Sequence, residues 1–260
     1  MRKVLVRLSL VAAIAGFTAA APLAQAGKPA GANETITRQQ ADEIIQELKQ
    51  IRVLLQRMAA EPRAATAPQP QAPPPNQVVT IPSITGYMLG QPNAPVTMVE
   101  FTDLQCPFCR QFHLTAFDEI RKNYIDTGKL RYFSLDFPLA MHPLAMPAAE
   151  AARCAGAQGQ FWAMRHTIFL NNPNLTPGSF DTFAGDLKLN LAKFNACTAA
   201  DTYQREIEAD QRLGVQVGVT GTPTFIIGHT MGRGVTGVRI VGAEPYAVFD
   251  AQIRQALSGK

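Results

Sequence analysis

Charge is sparse in this chain of 260 residues: 17% are Asp, Glu, Lys or Arg, with 24 basic residues against 20 acidic ones. Removing Arg2, Lys3 and Arg7 at the start leaves 21 against 20, so the formal +4 is concentrated at one end. No basic patch argues for nucleic acid, and none is dense enough to argue for an anionic membrane surface. Histidine and cysteine are also scarce, four of each. No His cluster accompanies the cysteines, so a zinc site lacks a second ligand pair. Gly232, Gly234 and Gly237 have no strand-to-helix context and do not make a phosphate loop; they mark a flexible hairpin turn. There are no internal repeats. What remains is 47% apolar, enough for a sizeable core in one main domain with an appendage.

Residues 1–26 carry a basic start, an apolar run over 8–21 and the small-residue pattern Ala24-Gln25-Ala26. This predicts a cleavable signal peptide, cut after Ala26. The alternative is an uncleaved anchor, but the run is short of the ~20 residues a spanning helix needs. Export to the periplasm follows, into an oxidising compartment where disulfides persist.

Residues 96–110, VTMVEFTDLQCPFCR, organise the rest. Residues 96–101 are apolar and β-branched, as a buried strand requires, and Phe112, Ala116, Phe117 and Ile120 then recur at helical spacing. Cys106 and Cys109 therefore stand where a strand hands over to a helix, with Gly128 as the expected stop. Pro107 suits a first helical turn, which puts Cys106 at the N-terminus, where free N–H groups and the helix dipole favour a thiolate. The spacing predicts Cys106 as the nucleophile in reach of solvent. It makes Cys109 the more buried thiol that closes a redox-active Cys106-Cys109 disulfide.

At these residues the sequence resembles the DsbA-like thiol-disulfide oxidoreductases of the thioredoxin superfamily, in the branch written EFTDLQCPFC…GTPTFIIG. The resemblance runs from about Gln91 onward and implies an α/β thioredoxin fold with an inserted helical domain. It implies that Glu100, six residues before Cys106, assists proton transfer to the resolving cysteine. It further implies that Thr222-Pro223 is the cis-proline pair opposite the cysteines, and that FWAMRHTIF belongs to the helical insertion. One departure is visible: strong oxidases of the family often carry His between the cysteines, and here that position is Phe108, which implies a milder oxidant.

Cys154 and Cys197 flank the helical block. In an exported chain they pair most economically with each other as a structural disulfide; a second redox centre is the alternative. Phe161, Trp162, Met164, Phe169 and Leu170 read as core, and His142 and His166 stand alone. Residues 78–84 form a first strand, interrupted by Pro82, 130–136 the strand after the active-site helix, 224–227 and 238–241 a returning pair that Gly221 lets approach, and 245–257 a closing helix.

Upstream, Thr37-Arg38-Gln39-Gln40 is a capping box. Ala41, Ile44, Leu48, Ile51, Leu55 and Met58 then alternate at spacings of three and four, a coiled-coil-like stripe within 27–60. Glu43, Glu47, Lys49, Arg52 and Arg57 occupy its other faces. Residues 61–77 hold six prolines and form a stiff linker that reaches ~50 Å at about 3.1 Å per residue. A helix held that far away has less reason to fold back on residues 78–260, and isolated helices of this length are marginal. The alternative is packing on its own domain; the reading preferred is a homo-oligomer. Leu at two a positions with Ile at d leans to a trimer over a dimer.

This layout resembles the suppressor-of-copper-sensitivity C proteins. The resemblance implies a disulfide isomerase, with a DsbA-like dithiol oxidase and a non-catalytic client-binding module as alternatives. It implies unfolded or misoxidised exported proteins as partners, a membrane redox partner and no cofactor. It also raises Cu(I) at Cys106 and Cys109, soft thiolate ligands.

Overall fold

The computed structural model describes residues 37–60 and 77–259, the side chains of 57–60 excepted; the expected leader and most of the proline-rich linker lie outside the described residues. The chain divides into two units, Met1–Ala67 and Pro68–Lys260. In the first, helix α1 (Arg38–Ala60) opens on a reciprocal cap. The Gln40 amide donates to Thr37 Oγ1 at 3.3 Å, and the Thr37 amide donates to Gln40 Oε1 at 3.0 Å. Ile44, Leu48, Ile51 and Leu55 are exposed, and so are Ile45, Val53 and Leu54, which widen the apolar stripe beyond its a and d positions. Among the described residues, no helix is long and apolar enough to cross a membrane.

The second unit begins with β1 (Val78–Ile81), β2 (Tyr87–Leu89) and β3 (Val96–Thr102), followed by α2 (Pro107–Thr115) and α3 (Phe117–Ile120). A π-helical turn, Arg121–Ile125, leads to β4 (Leu130–Asp136). Five helices come next: α4 (Ala145–Gly156), α5 (Phe161–Asn171), α6 (Ser179–Asp186), α7 (Leu191–Ala199) and α8 (Gln204–Gln216). The chain returns through β5 (Thr224–Met231) and β6 (Gly234–Val241) to α9 (Tyr246–Leu257). The sheet order is β1-β6-β5-β3-β4-β2, with β3 and β4 parallel and every other pair antiparallel.

Alternation along the strands builds two core layers. Val96, Met98, Tyr132, Phe225 and Ile227 pack against Phe112, Ile120, Phe249 and Ile253 of α2, α3 and α9. On the opposite face Val99, Phe101, Phe133, Leu135 and Ile226 meet Val219 and Phe137. Glu100 has the parity of Val96 and Met98, so it lies under α2. A third cluster, built from α4 to α7, extends to Leu104, Cys106 and Cys109.

Several sequence expectations change. The active-site helix is not continuous to Gly128: it breaks at Ala116 and loosens into the π turn before Gly128, at φ +74°, ends it. The first strand stops at Ile81, because Pro82 cannot donate to a ladder, and β2 is an additional edge strand. Only Gly232 lies in the hairpin turn; Gly234 and Gly237 are inside β6. Gly237 faces Gly228 across the ladder, where two backbones approach too closely for a side chain. Gly221 makes no such approach, since a Cβ there would meet nothing within 4 Å.

Candidate active site

Cys106 is the N-cap of α2, extended at φ −71° and ψ 126°, with Pro107 in the first turn. A tight turn sets it there. The Cys106 amide donates to the Asp103 carbonyl at 3.0 Å, and the Gln105 amide donates to Asp103 Oδ1 at 2.7 Å. Asp103 Oδ2 in turn takes the Leu139 amide at 2.9 Å and lies 2.7 Å from His142 Nδ1. Gln105 Oε1 takes the Leu144 amide at 2.6 Å. The loop after β4 is thereby tied to the cysteine turn, and His142 is a partner of Asp103 rather than an isolated residue.

The two thiols differ in kind. Cys106 is 3% exposed and Cys109 fully buried, so the sulfur expected in reach of solvent is itself buried, though less completely than its neighbour. The Cys106 thiol is lowered to about 6, first by the hydrogen bond from Cys109. Burial opposes this; Thr222 and the amides of Phe108 and Cys109 assist it, although those amides close no cap hydrogen bond. Cys109 is pushed well above the ordinary thiol range by burial, by its bond to Cys106 and by the charge of Glu100. Its sulfur accepts the Asp103 amide at 3.4 Å.

Thr222-Pro223 is a cis peptide. Cys106 Sγ lies 3.4 Å from the Thr222 carbonyl oxygen, to which a thiol donates. The Thr222 hydroxyl is buried without another partner, so it can turn to the sulfur when the proton leaves. Thr224 Oγ1 donates to the Gly221 carbonyl at 2.7 Å and holds this loop.

Glu100 is wholly buried below the pair. Burial raises its carboxyl, and Arg165 and Tyr132 pull it back. Arg165 Nη2 reaches Glu100 Oε2 at 2.5 Å, and the Tyr132 hydroxyl donates to the same oxygen. Neither partner had been picked out as a site residue from the sequence, and neither had His113. The available signal for Arg165 was an arginine within the largely apolar FWAMRHTIF. Phe161, Met164 and Phe169 are buried as expected, whereas Leu170 is exposed. His166 Nδ1 lies 2.8 Å from His113 Nε2, so it is also not alone.

Cys154 and Cys197 are joined in a disulfide between α4 and α7, and Cys106 and Cys109 are free thiols. Glu150 lies beside the disulfide, with Oε1 3.7 Å from Cys154 Sγ. Bonded sulfurs leave that trio without a thiolate for a metal.

The thioredoxin family model matches residues 83–235. Disulfide bond formation protein D of Bacillus subtilis is 31% identical, over 56% of this chain and 69% of that protein. The Na(+)/H(+) antiporter NhaA 3 of Salinispora tropica is 32% identical over 63% of this chain, but this chain spans only 24% of it. Among solved structures, alpha-DsbA1 of Wolbachia pipientis superposes with a TM-score of 0.61 at 26% identity, covering 66% of this chain and 90% of that one. BdbD of Bacillus subtilis shares the fold, with a TM-score of 0.59 at 24% identity over 66% and 92% of the two chains.

Proposed function

The chain belongs to the thioredoxin family, in its DsbA-like branch, and from that premise we propose that it exchanges thiols and disulfides on exported proteins, with Cys106 as nucleophile and Cys109 as resolving thiol. The observation that carries this is the contrast between the two sulfurs: one at a helix N-cap with its acidity raised, the other buried behind it with its acidity suppressed. A Cys106 thiolate attacks a client disulfide, one client sulfur leaves as thiolate, and a mixed disulfide forms. Cys109 then displaces the second client sulfur, leaving the client reduced and the Cys106-Cys109 pair oxidised. Run backwards, the same steps oxidise a client.

Between the two directions we favour an isomerase. Support comes from α1, whose exposed Ile44, Ile45, Leu48, Ile51, Leu54 and Leu55 form a face too broad for a two-stranded seam. A trimer that gathers several active sites fits this better than a dimer. The Phe108 side chain, 60% exposed and uncharged, adds no charge to what its amide does for the thiolate. The setting is the periplasm, with misoxidised or unfolded exported proteins as clients and a membrane partner to restore the working redox state. A resident Cu(I) would have the two sulfurs alone: among the described residues no third His, Cys, Asp or Glu groups with Cys106 and Cys109 as a ligand set.

Cys106→Ala should abolish refolding of scrambled ribonuclease; unchanged refolding would favour a client-binding module. Leu48→Asp with Ile51→Asp should lower the solution mass and reduce isomerisation more than oxidation of a reduced client. Undiminished isomerisation by a monomer would return the reading to an oxidase.

A further inference from the structure

Arg165 is 1% exposed, and a buried guanidinium is costly unless it is paired and fully bonded. Its surroundings are specialised. Phe169, Phe117, Trp162 and Tyr132 surround it, with ring centroids 4.8, 5.6, 5.7 and 5.9 Å from the guanidinium carbon. Such faces hold a cation without neutralising it. Nη2 donates to Glu100 Oε2 at 2.5 Å and to the Tyr132 hydroxyl at 3.0 Å. Nη1 lies 3.2 Å from His113 Nδ1. Arginine can only donate, so His113 accepts there and is neutral, its Nε2 proton pointing at His166. Burial and the adjacent Arg165 charge hold the His113 imidazole down to about 2, in agreement.

The two oxygens of Glu100 are consequently unequal. Oε2 is occupied by Arg165 and Tyr132, while Oε1 is buried and makes no hydrogen bond; the Thr102 hydroxyl, itself buried and unbonded, is the remaining group acting on the carboxyl. Glu100 and Cys109 act on each other electrostatically, and Arg165 feels both. The titratable and charged groups around the carboxylate are Cys109 from α2, Tyr132 from β4 and Arg165 from α5, with His113 behind Arg165 and Asp136 acting on Arg165 from farther off. From β5, the register partner is Phe225, which carries no charge.

We propose that Arg165 is a positioning residue for the exchange: it engages Oε2 and supplies the counter-charge that keeps Glu100 ionised, leaving Oε1 to take the proton of Cys109. This rests on the exchange reading above and assigns a role to a residue outside the Cys, Glu and cis-Pro set. In the resolving step the Cys109 proton passes to Oε1, and the Cys109 thiolate attacks Cys106 Sγ. The bond from Cys106 to the client sulfur breaks, and the client leaves as thiolate. Without the guanidinium, only the Tyr132 and Thr102 hydroxyls would oppose burial, so the Glu100 carboxyl would rise further and become less available as an acceptor.

The test is acid-quenched kinetics of the full-length reduced protein with glutathione disulfide, separating the Cys106-glutathione adduct from the doubly oxidised form between pH 5 and 9. Arg165→Met should slow resolution about tenfold at pH 7 and move its pH midpoint up by about one unit, the conversion of that factor. Arg165→Lys should recover most of the rate. In a Glu100→Gln background, Arg165→Met should cost less than about threefold, because the residue acts through the carboxylate. If Arg165→Met does not fold, Arg165→Gln, which keeps a donor for Oε2 but no charge, must show the same upward displacement. An unmoved midpoint in a folded variant, or an undiminished cost in the Glu100→Gln background, overturns the role. Absence of both the adduct and the doubly oxidised form in the unsubstituted protein would instead sink the exchange reading, and the role with it.

Discussion

Cys106 and Thr222 meet across 116 positions of sequence, the sulfur 3.4 Å from the Thr222 carbonyl oxygen and the Thr222 hydroxyl beside it without another partner. The carbonyl suits a thiol and the hydroxyl a thiolate, so one residue serves both protonation states. Thr222→Val keeps the shape and removes the donor to the anion. The Cys106 titration, near pH 6, should then rise by roughly half to one unit, as expected for a lost hydrogen bond of ~1 kcal/mol. The rate of iodoacetamide alkylation against pH measures it, and an unchanged midpoint would remove Thr222 from the site.

The Cys154-Cys197 disulfide closes a separation of 43 residues around the insertion core. Replacing both cysteines by alanine should lower stability by up to ~4 kcal/mol in the chain-entropy model, read from urea unfolding. The alkylation midpoint of Cys106 should not move. A shift there would mean that the two cysteine pairs communicate.

Asp136 and Asp210 share Arg153, with Nε 2.6 Å from Asp136 Oδ2 and Nη2 2.5 Å from Asp210 Oδ2. Burial, and then the charge of Asp136, push Asp210 up to about 7 from 3.8. An acid raised on folding binds more protons folded than unfolded between those values, so its contribution to stability declines as pH rises through that window. Asp210→Asn removes the decline. Its stability relative to the unsubstituted protein should improve steadily from pH 4 to pH 7 in denaturant titrations; a constant difference contradicts the assignment.

Gly228 and Gly237 face each other in the β5-β6 ladder. A Cβ on Gly237 would fall on the Ile227 carbonyl, and one on Gly228 would fall on the Thr236 carbonyl. Gly237→Val should therefore cost about 3 kcal/mol or more by unfolding, since the obstruction is backbone and cannot rotate away. The same change at a flexible turn, where the sequence had placed this glycine, would be nearly neutral.

Legibility followed the range of the interactions. The run 96–101, Pro107 and the cysteine spacing show the strand, the helix start and the ordering of the two thiols, because each depends on neighbours within a few residues. The Thr37-Gln40 cap was equally readable. The break at Ala116 and the short strand Tyr87–Leu89 were not. Helical spacing continues through the first, and the second owes its pairing to β4 rather than to its own pattern. His142 and His166 looked idle because their partners, Asp103 and His113, are 39 and 53 positions away.

Sequence alone determined that Cys106 would stand at the head of a helix, since proline geometry and unpaired amides are local properties of the chain. Tertiary structure alone decided what lies beneath it. A carboxylate on β3 could be read as present, but the burial that raises it and the Arg165 guanidinium that opposes this, 65 positions later and brought against it by α5, could not. Electrostatic energy in a dry interior depends on distances through space, and those exist only once the insertion has closed over the sheet.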